Sequence, residues 1–239
     1  MNQADPLAQV PSGWWWSGLP GLEVENTYDR IPLDRLPSIR RDLSGKWDWV
    51  PTVAAPLDWS IADRDDPEAF LEDAEAVGVP IPNSLRGFIL RPELRRSIRS
   101  GTGCWWSLGE GRGVVARAAI VEAMREKGAD VEVDEHGPLA FVPSLGRYVV
   151  RFLTDQQDCI FWFLVLGDSD GPVIASFDDL TGELSEAPEI WRVSSTFEEF
   201  MYRFWIENEI FFRMNERVAL TAEQEAYYAE ARRLADVTT

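Results

Sequence analysis

Residues 146–177 read GRYVVRFLTDQQDCIFWFLVLGDSDGPVIASF, three β-branched and aromatic runs cut by the polar breaks DQQD and GDSDG. Runs of this length between turn formers predict strands over 147–154, 159–166 and 172–177, joined as an antiparallel meander. The middle run, CIFWFLVL, contains no polar residue. Alternation therefore cannot leave one of its faces in water, and the chain must supply cover on both sides. A helix predicted over 196–214 is the first source of that cover, because Phe197, Phe200, Met201, Phe204 and Phe211 recur at helical spacing. These elements make an α+β fold, an antiparallel sheet with helices packed on it.

The 239 residues allow one large domain or two small ones, and 45% hydrophobic with 27% charged content is that of a globular protein. The charge is the outlying quantity: 23 Lys and Arg face 41 Asp and Glu, a formal net charge of -18. Such a field repels phosphate backbones and anionic lipid surfaces and steers a basic partner inward. It argues against direct nucleic-acid binding, while solubility alone is the simplest account of it. Cys104 and Cys159 lie far apart with no CxxC spacing, which is neither a disulfide framework nor a zinc motif and fits a reducing compartment. The opening MNQADPLAQVPSG shows no basic segment followed by an apolar core, and the run 159–166 is too short to span a bilayer. A cytoplasmic protein with no membrane association is the expectation.

Residues 1–66 hold many of the prolines and the tryptophans Trp14, Trp15, Trp16, Trp47, Trp49 and Trp59, with little periodicity. Each indole carries a large apolar surface, so this irregular extension is expected to wrap onto the body. Asp66-Pro67 announces a helix that stops at Gly78. Prolines at 80, 82 and 92 divide the next segment into short helices over 84–90 and 92–98, with Leu85, Phe88 and Ile89 facing inward. Residues 104–108, CWWSL, predict an edge strand; 116–127 predict a helix, 129–133 a short strand, and 191–193 another. Two capping signals precede the long helix, Ser195 with Glu198 and Thr196 with Glu199, and Thr221 with Gln224 opens a last helix within 215–239.

In that order of elements the chain resembles the SUKH superfamily, which includes bacterial immunity proteins and the fungal cell-wall synthesis regulator. The similarity is carried by EAFLEDAEAVG leading to VPIPNSLRGFI, the CWWSL strand, RFLTDQQDCIFWFLVL, SFDDL, and the closing VSSTFEEFMYRFWIENEI. It covers 67–214, with a helical insertion at about 114–128. The resemblance implies a binding scaffold without catalytic residues, whose partner is another protein, often a toxin, met through a variable surface.

Few residues offer chemistry. Gly109, Gly111 and Gly113 precede a helix, with Glu132, Asp134 and Glu135 beyond, a spacing tolerable for a dinucleotide turn. A flexible loop before an inserted helix is the simpler account. His136 is the only histidine; with no second histidine and no nearby cysteine it anchors neither a zinc site nor a Ser-His-Asp arrangement by itself, and in the DEHGP turn it reads as a solvated loop residue. Cys159 reads as a small core residue of its strand. Asp178 with Glu207 could in principle flank a glycosidic bond, but Glu198 and Glu199 read as caps, and Glu199–Arg203 and Glu209–Arg213 as i,i+4 pairs. The expectation is therefore a non-enzymatic module with no catalytic residue, cofactor or metal. It binds a protein partner, such as a basic toxin, through Asp155, Gln156, Asp158, Asp178, Asp179 and Glu183. A regulatory scaffold, and an enzyme using Gly109–Gly113 as a nucleotide cradle, remain as alternatives.

Overall fold

The computed structural model describes residues 5–15, 19, 30–61, 68–76, 78–108, 139–167, 170–180 and 188–236. In chain order the strands are β1 (Trp14–Trp15), β2 (Arg30–Ile31), β3 (Trp105–Trp106), β4 (Leu139–Val142), β5 (Arg147–Thr154), β6 (Phe161–Val165), β7 (Val173–Ser176) and β8 (Ile190–Ser194). The helices are α1 (Glu68–Ala76), α2 (Asn83–Ile89), α3 (Pro92–Ser97), α4 (Phe197–Glu216) and α5 (Ala222–Asp236).

The meander is present: β5, β6, β7 and β8 pair antiparallel in sequence order. The other edge of β5 is shared, with β3 opposite Leu153 and Thr154 and β4 opposite 147–150. A bulge at Phe152 interrupts the β5–β6 register and lets both Phe152 and Leu153 join the helix-side core. At the far edge Pro11–Gly13 runs beside β8, with Arg192 N–H donating to the Pro11 carbonyl at 2.8 Å and Gly13 N–H to the Arg192 carbonyl at 3.1 Å. Those bonds occupy an edge that would otherwise offer itself to another chain.

Every residue of β6 is buried, as its composition requires. Trp162 and Leu164 face the α4 side, in one cluster with Phe152, Phe197 and Phe200. Phe161, Phe163 and Val165 face the other side, with Val149, Ile174 and Leu180, partly covered by Leu7 and Val10. Gly171 explains how the chain returns so closely after β6: a Cβ there would lie 1.9 Å from the Val165 carbonyl oxygen. Phe88, Trp106, Phe152 and Phe197 form a continuous set of tilted and edge-on rings with centroids 5.0–6.3 Å apart. Burial of each such side chain contributes roughly 2–3 kcal/mol.

Helix α4 is buried nearly all round, including Glu198, Arg203, Glu207 and Asn208. The sheet covers one side, and the N-terminal segment with α5 covers the other. Glu207 is only 1% exposed and accepts from Trp14 Nε1 at 2.9 Å and from the Tyr227 hydroxyl at 2.7 Å. Burial, together with the Glu207 carboxylate, pushes the Tyr227 phenol well above its ordinary range, so it stays a donor. Glu198 is 2% exposed and accepts from Trp49 Nε1 at 3.0 Å and from Gly45 N–H at 2.6 Å. Arg203 reaches the Pro37 carbonyl at 2.8 Å.

Several expectations need correction. The Thr196–Glu199 signal is realised, with Glu199 N–H donating to Thr196 Oγ1 at 3.1 Å, and so is Thr221–Gln224. Ser195–Glu198 is not, because Glu198 turns inward to the indole of Trp49. Glu199 pairs with Arg203 at 3.5 Å, but Glu209 bonds Arg99 at 3.0 Å and Arg213 caps the Ala219 carbonyl instead. Trp14, Trp15, Trp47 and Trp49 are buried as expected, whereas Trp59 is 66% exposed. The predicted helix at 116–127 and strand at 129–133 lie outside the described residues.

Glu207→Gln should destabilise the fold by about 2–4 kcal/mol, because an amide offers one acceptor oxygen and turns its NH2 group toward a buried donor. Urea melts of Glu207→Gln, Trp14→Phe and the double variant should give a coupling of about 1 kcal/mol or more. Additive effects would show that the indole bond does not hold the segment.

Candidate functional site

The register places the candidate residues of the two turns side by side. Thr154 pairs with Phe161, and Phe161 pairs with Ser176, so the DQQD turn and the segment beginning at Phe177 emerge at one end of the sheet. Within DQQD the acids differ. Asp155 closes the turn: its Oδ1 accepts from Cys159 N–H at 2.6 Å and Ile160 N–H at 3.0 Å. Asp158 is exposed with φ 53°, the left-handed conformation that Asp tolerates better than most residues. Gln156 is exposed but packs on Gly103, where a Cβ would stand 2.8 Å from its Oε1.

Beyond β7, Ser176 Oγ donates to the Glu189 carbonyl at 2.7 Å and accepts from Asp178 N–H at 3.0 Å, which fixes the backbone and leaves the Asp178 side chain exposed. Asp179 forms an ion pair with Arg151 at 2.7 Å. Phe177, 36% exposed, packs edge-on against Trp15 and Trp191, each with centroids 5.3 Å away. The Arg30 guanidinium stands 3.7 Å from the Trp191 ring centroid. Thus Gln156, Asp158, Phe177 and Asp178 form a charged, partly aromatic end on a backbone held by hydrogen bonds. Glu183 lies outside the described residues, as do Gly109, Gly111, Gly113, Glu132, Asp134, Glu135 and His136.

Cys159 is not a core strand residue; it sits half-buried in the turn, because the Asp155 carboxylate captures its N–H and delays the start of β6 to Phe161. Cys104 is buried, and desolvation raises its thiol to about 11. Glu207 is sealed beneath Trp14 and Tyr227 and cannot flank a substrate with Asp178. Among the described residues no group of three or more His, Cys, Asp and Glu could hold a metal ion. No helix among them is long and apolar enough to cross a membrane.

A cleft at the other end of β6 has no counterpart among the sequence expectations. Its volume is about 620 Å³, and Leu43, Gly45, Ile81, Ser84, Asp170 and Glu198 are among its walls. The Ser84 hydroxyl donates to Asp170. Burial, and then the negative charge of Glu198, raise the Asp170 carboxyl above its ordinary range, against the Ser84 bond that lowers it. The sequence signal was the acid in the GDSDG break, masked by its resemblance to a plain turn.

The class defined by these elements is an α+β protein with an antiparallel sheet and helices packed on it. No family profile, curated protein or solved structure matches the chain.

Asp155→Ala should cost about 1–2 kcal/mol in thermal unfolding through two lost hydrogen bonds, whereas Asp158→Gly should be neutral or stabilising by up to about 1 kcal/mol. Asp170 has a folded pKa above its unfolded value, so the folded state binds its proton more tightly and wild-type stability falls as pH rises through that window. Asp170→Asn should therefore have the higher Tm at pH 7, with the difference closing below about pH 4. A pH-independent difference would show that desolvation of the charge is not its cause.

Proposed function

We propose that this chain is a non-enzymatic, SUKH-like protein-binding module that acts in the cytoplasm as an immunity-type protein, occluding a basic toxin or another basic protein partner. The observation that carries this reading is the sheet end where Gln156, Asp158 and Asp178 are exposed beside the partly exposed ring of Phe177, on turns tied by Asp155 and Ser176. Fixed turns present these groups with little ordering cost on association. The net charge of -18 raises the encounter rate with a basic surface, and Phe177 supplies an aromatic contact that slows departure. The rigid body behind them then blocks the partner's surface sterically. An enzyme built on Gly109–Gly113 draws no support from the strand before that loop. β3 is a two-residue antiparallel edge strand, whereas a dinucleotide turn comes after a parallel strand.

The test pairs the full chain with the basic C-terminal module of a polypeptide encoded next to its gene, where the neighbouring reading frame supplies one. Co-expression should restore growth against that module, and biolayer interferometry should show association that slows as salt rises. Asp158→Lys with Asp178→Lys should lower the association rate about tenfold at low salt and change dissociation less. An association rate indifferent to salt and to both substitutions, or heat on titration with nicotinamide or adenine nucleotides, would overturn the reading.

A further inference from the structure

The cleft at the far end of β6 has a composition that the proposed sheet-end contact leaves unused. Its walls divide by chemistry. Leu43, Pro80, Ile81 and Pro82 are apolar, and Asp170 and Glu198 are acidic. Among the described residues lining it there is no Lys, Arg or His. Pro80, Asn83 and Ser44 are exposed at its mouth, while Glu198 is buried deep within it. We infer that this cleft is a socket for an arginine or lysine side chain of a basic protein partner, its methylene stem lying along Ile81 and the prolines and its cationic head meeting Asp170 beside Glu198.

Three features favour that occupant. The methylene stem of a long basic side chain needs an apolar wall while its head needs a carboxylate, and the lining of the cleft supplies both. Glu198 is held in place by the uncharged donors Gly45 N–H and Trp49 Nε1, which leave its charge to act on Asp170, and it has no cationic partner among the described residues of the wall. A divalent metal is the poorer match. Calcium asks for six to eight oxygens, and both Glu198 oxygens are committed to N–H donors. The position also recruits independent elements: the 43–45 turn, the lead-in to α2, the β6–β7 loop and the first turn of α4. A charge in such a partly enclosed space is worth more than one on an open surface.

The experiment titrates the 15N-labelled full chain in 150 mM NaCl with the peptide acetyl-Gly-Arg-Gly-amide, its norleucine counterpart, and spermidine. The arginine peptide should shift the amides of Gly45, Ser84, Gly167 and Asp170, and the norleucine peptide should not. Asp170→Asn should weaken the arginine peptide about tenfold, Ile81→Ser should also weaken it, and Glu225→Gln, at an exposed acid of α5, should leave it unchanged. Equal shifts with norleucine would overturn the socket, as would equal weakening by Glu225→Gln, which would mean a general surface field. Stronger binding of spermidine at the same amides would replace the protein side chain with a free polyamine and overturn it too. Should Asp170→Asn fail to fold, the arginine and norleucine arms on the unaltered protein decide alone. Because the socket and the DQQD end lie at opposite ends of β6, failure here leaves the proposed sheet-end contact standing, and the reverse also holds.

Discussion

Two carboxylates buried on one helix hold this fold together. Glu198 lies in the first turn of α4 and Glu207 near its middle, and each accepts an indole N–H from the N-terminal segment, Trp49 in one case and Trp14 in the other. A buried carboxylate without donors would cost several kcal/mol, and an indole N–H without an acceptor would add its own penalty. Each therefore specifies the other. The helix packs in this register with the segment lying over it, and the segment is held there by these bonds, by the rings around them and by the Arg203–Pro37 and Arg41–Glu223 contacts. The polar contacts set the register; the aromatic burial supplies the energy.

The clamp has consequences across the whole molecule. Trp47 is held at φ 59°, an uncommon conformation for a bulky residue, and its ring is buried against Trp49, Phe88 and Phe197. Packing on this scale can support local strain of order 1–3 kcal/mol. Elsewhere in the segment, Trp15 lies edge-on to Trp191 and the Pro11–Gly13 backbone completes the β8 edge. The N-terminal third is thus a structural layer: it caps a helix face, protects a sheet edge and supplies the Gly45 side of the acidic cleft.

The sheet and helices were legible in the sequence because their signals are local. An eight-residue apolar run bounded by DQQD and GDSDG admits little but a doubly buried strand, and Thr196–Glu199 and Thr221–Gln224 mark helix starts within four residues. The roles of the α4 acids were not legible, because their partners lie 149 and 193 residues away. Glu198 carries a local capping signature as good as that of Glu199, and only tertiary packing decides between them. Glu209 likewise has Arg213 one helical turn on, yet Arg99 arrives from the loop before β3 and takes it, leaving Arg213 for the Ala219 carbonyl. The DQQD turn is where its polar residues place it, but which of its acids is structural depends on where the strand ends, and it is Asp155 rather than Asp158 that faces the turn amides. The cleft was invisible for the same reason as the clamp, since its walls come from four separate stretches of chain.

The excess of acid acquires meaning once these commitments are subtracted. Arg99 is paired with Glu209 and Glu216, Arg151 with Asp179, Arg41 with Glu223, and Arg203 with Glu199 and the Pro37 carbonyl. Arg91 and Arg95 are turned onto backbone carbonyls, holding the 45–46 turn and the end of α2. These arginines serve as cross-links within the fold, most of them between segments distant in sequence. Among the described residues, exposed acids such as Asp158 and Asp178 have no such assignment, and they stand on fixed backbone. A surface of that kind gains little stability from its charges and carries their mutual repulsion as a cost. That cost is one that any nearby cationic surface would lower, and folding itself leaves it in place.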